Sequence, residues 1–338
     1  MATTLSATLQ TRFAWSTPLR TRFRDLEVRD GLLLRGDAGW GELSPFWEYD
    51  DAESLAWLRA AREAADQDFP APVRDVVPVN VTVPAVGPER AREIVLRSGG
   101  CRTAKVKVAQ RGADGLLEDA AVERERVAAV RAAFDELGTA DAAIRVDANG
   151  AWSVDEARAR IPRLAAAARD LEYVEQPCRT VAELAAVRRG ADVRIAADES
   201  IRRAADPLRV VRDEAADVVV LKVQPLGGVR ACLDLAEQVG LPVVVSSALE
   251  SSVGLAAGVA LAAALPELPF ACGLATSQLL AHDVTDDPLL PVDGVLPVRR
   301  AAPDAGALAA VAAPPAVEQR WFDRHDRLDA LLAAERVA

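Results

Sequence analysis

From Val76 onward, short β-branched runs alternate with longer stretches whose apolar residues recur at helical spacing. The runs are Val77–Val83, Ala104–Val108, Ala143–Val146, Leu171–Val174, Val193–Ala197, Val218–Val223 and Pro242–Ser246, with a weaker eighth near Phe270–Leu274. Between them, Asp119–Leu137, Ser153–Ala168 and Val229–Val239 set apolar positions on a charged background, the pattern of amphipathic helices. Strands alternating with helices predict βαβ units around a parallel sheet. Eight such strands over about 200 residues predict a closed (β/α) barrel rather than an open sheet.

The first 75 residues follow another pattern. Alternation around Thr8–Phe13, Leu26–Arg35 and Gly39–Leu43 predicts an antiparallel meander with turns at Arg29–Gly31 and Gly36–Asp37. A helix is expected over Asp51–Asp66. The division is therefore an α+β unit over residues 1–75 and a barrel over 76–304. Pro303–Pro315 reads as a Pro/Ala-rich connection, and the tail, about 305–338, is expected to pack back on the first unit through Trp321, Phe322 and Leu328.

Composition narrows the function. The chain has 338 residues, 51% of them apolar and 27% charged, with a net charge of −11. A large core is affordable and a nucleic-acid partner is disfavoured. The first residues show no basic region followed by an apolar stretch, and the longest alanine-rich run, Gly254–Leu265, falls short of the roughly 20 residues of a membrane span. No membrane association is expected. Cys101, Cys178, Cys232 and Cys272 form no Cys-x-x-Cys pair, so reduced thiols and a cytoplasmic location are expected. His282 and His325 are too few for a histidine metal site and read as structural or surface residues.

Among the 40 basic residues, 37 are Arg and only three are Lys: Lys105, Lys107 and Lys222. Lysine can lose its proton near neutral pH where arginine cannot. The plain alternative is chance survival on a solvated face. The lysines gain meaning from their register. Lys107, Asp147, Glu175, Asp198, Lys222 and Ser246 each close a predicted strand, and the last five recur at steps of about 25 residues, one βα unit each. That puts them on the carboxyl face of the barrel, where barrel active sites are built. Any one acid alone would as readily cap a helix or pair with an arginine. Three on adjacent strands call for a cation, and an all-oxygen set favours Mg²⁺, then Mn²⁺. Lys105 and Lys107, two apart on a strand, face the same way. A lysine beside a cation and a second lysine is a usable base, so the chemistry indicated is proton abstraction next to the carboxylate of a small-molecule substrate.

The segments Lys105-Val106-Lys107, Asp147–Trp152, Glu175-Gln176-Pro177, Ala197–Ser200 and Leu221-Lys222 resemble the enolase superfamily, in its muconate-lactonising subgroup. The resemblance implies a (β/α)7β TIM-like barrel with an N-terminal α+β capping domain. It also implies Asp147, Glu175 and Asp198 as metal ligands, with Lys107 and Lys222 as the catalytic pair. Supporting roles fall to Lys105, Asn149, Glu199 and Arg145, the last two positions before Asp147. Ser246–Gly254, Cys272–Thr276 and His282–Val284 match a branch that dehydrates a cyclohexadiene carboxylate to an aromatic acid. There Lys107 takes the ring proton, Lys222 stabilises the enediolate, and Ser246, Ser247 and Gly273 neighbour the substrate. The serine-rich turn after the seventh strand reads either as a backbone seat for a second carboxylate or as an ordinary helix cap by Ser251 or Ser252. The stretches Ala14–Arg22 and Leu43–Tyr49 are expected to close over the site. Racemisation of N-succinylamino acids is the alternative within the fold. Outside it stand a Schiff-base aldolase on Lys222 and a non-catalytic barrel.

Overall fold

The computed structural model describes residues 12–335, apart from Asp25, Ala113 and Ala140. Three antiparallel strands come first: β1 (Arg12–Phe23), β2 (Leu26–Gly36) and β3 (Gly39–Leu43), followed by helix α1 (Asp51–Asp66). The helix starts where expected, because Asp50 caps it by accepting from the Glu53 amide at 2.8 Å. Two expectations change here. Arg29–Gly31 is no turn but lies inside β2, paired across to Thr17–Trp15. Ala14–Arg22 is most of the strand β1; its far end, Thr21 and Arg22, with Phe23 and Arg24 just beyond, borders the site described below. The part of the first expected strand before Arg12 lies outside the described residues.

The barrel follows as β4 (Val76–Pro78), β5 (Val81–Val83), α2 (Pro88–Leu96), β6 (Thr103–Lys107), α3 (Ala120–Glu136), β7 (Ala143–Asp147) and α4 (Val154–Ala168). It continues with β8 (Val174–Glu175), α5 (Val181–Arg188), β9 (Ile195–Ala197), α6 (Glu199–Arg202), α7 (Arg209–Arg212), β10 (Val218–Leu221), α8 (Val223–Leu226), α9 (Val229–Val239), β11 (Val243–Val245) and α10 (Ser252–Ala264). Strands β5 through β11 form one seven-stranded parallel sheet in sequence order. The eighth position is not a full strand. Cys272 and Gly273 bridge to Val79 on one side and Ser246 on the other, and the Cys272 and Gly273 amides bond to Pro78 O and Val245 O. This closes the curl. The expected run Val77–Val83 is split, since β4 pairs antiparallel with β12 (Val295–Pro297) instead of joining the parallel sheet. Such strands are covered on both faces, which is why β10 reads as an unbroken Val-Val-Val-Leu, all buried.

Two helices follow, one short and one long. The Pro303–Pro315 connection carries α11 (Ala305–Ala310), and α12 (Pro315–Glu335) returns to the antiparallel sheet. Trp321, Leu328 and Leu332 pack with Leu32, Leu43, Phe46, Trp57 and Leu58 in a core separate from that of the barrel. Trp321 is fully buried, stacks on Trp47 at 4.4 Å and donates its indole N–H to Asp30 at 2.9 Å. All four cysteines are buried free thiols, and no described helix is long and apolar enough to cross a membrane.

Replacing Trp321 with Ala empties the centre of the smaller core and removes one of the two indole donors to Asp30, leaving that of Trp47. We expect a loss of about 3–5 kcal/mol of unfolding free energy in urea titration. A loss below about 1 kcal/mol would show that the tail contributes little to this unit.

Candidate active site

Parallel register aligns the polar strand ends. Lys107 on β6 pairs with Asp147 on β7, and Asp147 with Glu175 on β8, so the three stand in one cross-strand row. Strand tilt staggers the rest, and Asp198 follows β9, Lys222 follows β10 and Ser246 follows β11. Asp147, Glu175 and Asp198 are buried to within 1% of exposure.

Cations thread between these acids. Lys105 Nζ donates to both oxygens of Glu175, at 3.0 and 3.2 Å, and stands 3.3 Å from Asp147. Lys107 Nζ donates to Asp147 Oδ2 at 2.5 Å and to Asn149 Oδ1 at 2.7 Å. Lys222 Nζ donates to Asp198 Oδ2 at 2.7 Å. The other Asp198 oxygen accepts from Arg202 Nε at 2.9 Å. The same arginine bonds Glu199 Oε1 at 2.6 Å, which also accepts from Asn149 Nδ2 at 3.2 Å. One chain of hydrogen bonds therefore runs from Lys107 through Asn149, Glu199, Arg202 and Asp198 to Lys222.

The electrostatics separate the lysines. Burial works against charge on Lys105, but Glu175 and Asp147 more than offset it and hold this lysine above its ordinary range. Burial dominates at Lys107 and, helped by the charge of Lys105, holds it below the ordinary range against the pull of Asp147. Burial also opposes charge on Asp147 and Asp198. Lys107 and Lys105 overcome it for Asp147, and Arg202 and Lys222 for Asp198, so both acids sit below the usual carboxylate range. Glu175 goes the other way, to about 7, through burial and then the neighbouring Asp147.

That crowding is the test of fit for a divalent cation. Three buried carboxylates, all-oxygen, with one of them raised by burial and by the other acids, form a donor set for a hard ion. Glu199 Oε2 adds a buried acceptor with no hydrogen-bond partner. Among the described residues no three acidic, His or Cys side chains close around one point as a finished shell; the lysine ammonium groups and Arg202 are bonded into the spaces between the acids. The residues fit the ion in kind, and its arrival would require these cations to share their partners.

Other expected residues fall differently. Arg145 does not reach this face. Its guanidinium turns to Tyr173 Oη and Ala271 O, each at 2.8 Å, and to Glu172, all at the opposite ends of their strands. It supports the barrel floor. Ser246 is buried beside Gly273, where an added Cβ would meet Ser246 Oγ at 2.5 Å. Ser247 Oγ bonds Thr276 Oγ1 at 2.6 Å. Both serines line a cavity of about 30 Å³ over the lysines, closed from above by Phe23, Arg24 and Phe46. Phe46 comes from the expected Leu43–Tyr49 stretch. A wider cleft of about 600 Å³, edged by Arg22, Arg24 and Arg111, shares Lys107 and Asn149 with it. A further cleft, about 840 Å³ beside Arg20 and His282, contains none of the lysines.

The reading of the serine-rich turn as a carboxylate seat is corrected. The protein fills that helix start itself. Glu42 of β3 accepts from the amides of Ser251 and Gly254, at 3.1 and 3.3 Å, and from the Ser251 hydroxyl, while Asp283 accepts from the Ser252 amide at 3.1 Å. Ser251 sits at the cap position without a side-chain bond to the helix. Gly254 leaves the room, since a Cβ there would come within 2.9 Å of the Glu42 carboxylate. Sequence reasoning missed Glu42, Arg202 and Gln176. Gln176 Oε1 accepts from the amides of Asp198 and Ser200, at 3.0 and 3.2 Å, fixing that turn. For Arg202 a signal existed, its four-residue spacing from Asp198 at a helix start.

A curled parallel sheet carrying lysines and acids on its carboxyl face, under an antiparallel cap, defines an enolase-like protein. Family models agree: "Enolase N-terminal domain-like" matches residues 14–65 and "Enolase C-terminal domain-like" residues 88–335. The chain is 62% identical to an o-succinylbenzoate synthase of Thermobifida fusca, covering 96% of both chains. It is 54% identical to one of Mycolicibacterium smegmatis, covering 91% of both. The chain belongs to the o-succinylbenzoate synthase family of enolase-like proteins. In fold it is similar to muconate lactonizing enzyme of Pseudomonas fluorescens, with a TM-score of 0.74 and 20% identity over 90% of this chain and 98% of that one.

Burial raises Glu42 to about 7, with Glu250 adding to the shift and the bonds from Ser251 and Ser44 opposing it. A raised acid holds its proton longer folded than unfolded, so its contribution is full below about pH 4.5 and is lost as pH rises through about 7. We expect Glu42→Gln to flatten the fall in unfolding free energy between those limits. An unchanged slope would mean that Glu42 does not titrate there.

Proposed function

We propose that this chain is an o-succinylbenzoate synthase, catalysing syn dehydration of 2-succinyl-6-hydroxy-2,4-cyclohexadiene-1-carboxylate to o-succinylbenzoate. This lyase step belongs to menaquinone biosynthesis, in the cytoplasm. The observation that carries the reading is the near full-length identity to relatives of that one name, at 62% and 54%.

Roles follow from the geometry of the side chains. Asp147, Glu175 and Asp198 are the ligand set for Mg²⁺, or Mn²⁺ in its place, which when bound supplies positive charge against the substrate carboxylate. Lys107 is the base. It lies at the cavity floor, held below its ordinary range by burial, and it takes the ring proton α to the carboxylate. Lys222, bonded to Asp198 across the acid row, stabilises the enediolate. The same Lys107 returns its proton to the departing hydroxyl, so water leaves and the ring becomes aromatic. Lys105 stays a cation and keeps Lys107 easier to deprotonate. Asn149 fixes the Lys107 ammonium, Glu199 anchors Asn149, and Ser246, Ser247 and Gly273 shape the wall against the substrate.

The test is to mix purified protein, Mg²⁺ and the cyclohexadiene carboxylate and to follow loss of the diene absorbance. We expect loss with formation of o-succinylbenzoate, abolished by EDTA and restored by Mg²⁺. No loss, together with racemisation of N-succinylamino acids, would assign the lysine pair to two-base chemistry instead. Turnover that survives EDTA and is trapped by borohydride would point to a Schiff base on Lys222.

A further inference from the structure

Arg202 touches a candidate ligand, a supporting acid and the cap together. Its Nε donates to Asp198 Oδ1 at 2.9 Å, one terminal nitrogen to Glu199 Oε1 at 2.6 Å, and the other to the Tyr49 hydroxyl at 2.9 Å. The side chain is 5% exposed and lines the small cavity. Tyr49 itself is fixed in the core of the cap, edge-on to Phe46 at 5.6 Å and to Trp57 at 6.2 Å, and Phe46 forms part of the cavity roof. Arg202 sits at the end of the one-turn helix α6, whose start is Asp198. A planar fork with three separate acceptors fixes its own plane, and so fixes the carboxylate it grips.

We propose that Arg202 and Tyr49 act as a positioning pair. Arg202 orients the Asp198 carboxylate toward the metal, and Tyr49 makes that orientation depend on the cap being seated. The inference rests on the reading of Asp198 as a ligand. It goes beyond that reading by coupling the roof of the site to the ligand edge through one guanidinium. Neither residue exchanges a proton with the substrate.

The experiment uses the full chain and its Arg202→Met, Arg202→Lys and Tyr49→Phe variants. Mn²⁺ affinity is measured by electron paramagnetic resonance titration without substrate, and kcat and KM are measured on the diene. We expect Arg202→Met to weaken Mn²⁺ binding by about 10–100-fold, the usual effect of losing a partner behind a ligand. Arg202→Lys, which keeps charge but not the fork, should recover only part of this. Tyr49→Phe should keep parental Mn²⁺ affinity while raising KM, because the ligand is still gripped but the roof is uncoupled. Thermal melting of the metal-free proteins checks folding, and Arg202→Gln replaces the Met variant if that one melts early. Parental Mn²⁺ affinity in Arg202→Met, or parental KM in Tyr49→Phe, overturns the inference. A parent chain that binds no Mn²⁺ overturns the metal reading itself, and this inference with it.

Discussion

Three carboxylates cannot be ionised side by side in a dry barrel mouth unless cations stand among them. Removing each from water costs several kcal/mol, and their mutual repulsion adds to this. The protein meets the constraint with Lys105, Lys107, Lys222 and Arg202, each bonded to at least one of the acids. The arrangement is poised rather than relaxed. Asp147 and Asp198 are held ionised, Glu175 is pushed to about 7, and Lys107 is left with less charge stabilisation than Lys105. A divalent cation would satisfy the acids and leave Lys107 freer for proton transfer. The same electrostatic problem thus explains both the burial of the site and its chemistry.

The cap supplies what the barrel cannot. Glu42 neutralises the start of α10. Buried Arg29 reaches across to the Leu249 carbonyl at 3.1 Å, on the turn that carries Ser246 and Ser247. Tyr49 grips Arg202. Helix α10 is apolar all round because it is covered on every side; β11 and the cap strand β3 are among its neighbours. These links make the cavity a property of both units. Asn149, Gln176 and Leu249, beyond β7, β8 and β11, all take left-handed backbone conformations near the mouth.

Much of this was legible in the sequence because barrel geometry is periodic. One βα unit per strand is enough to place Lys107, Asp147, Glu175, Asp198 and Lys222 on one face, and the scarcity of lysine drew attention to three side chains that all bond to the acid row. Local signals fixed α1 and α3 to within a residue or two through their Asp caps. What escaped was set by contacts distant in sequence. Whether Ser251 faces a substrate or Glu42, more than two hundred positions away, is decided by packing of α10 on β3. Arg145 shares the alternation of its strand with Asp147, yet its guanidinium turns to Tyr173, Glu172 and the Ala271 carbonyl at the floor. The interior of β2 resembled a turn because Asp30 and Gly31 have turn chemistry; its neighbours β1 and β3 override that preference.

The central claim is that Lys107 acts by accepting the ring proton and returning it, and not merely by its charge. The direct measurement compares steady-state dehydration by Lys107→Arg and Lys107→Ala with the parent chain, with Mn²⁺ affinity checked to confirm that the acid row is intact. Arginine keeps the charge but cannot act as the base. The account predicts that both variants lose activity by about 10²–10⁴-fold and to a similar degree. A Lys107→Arg variant retaining near-parental turnover would contradict it.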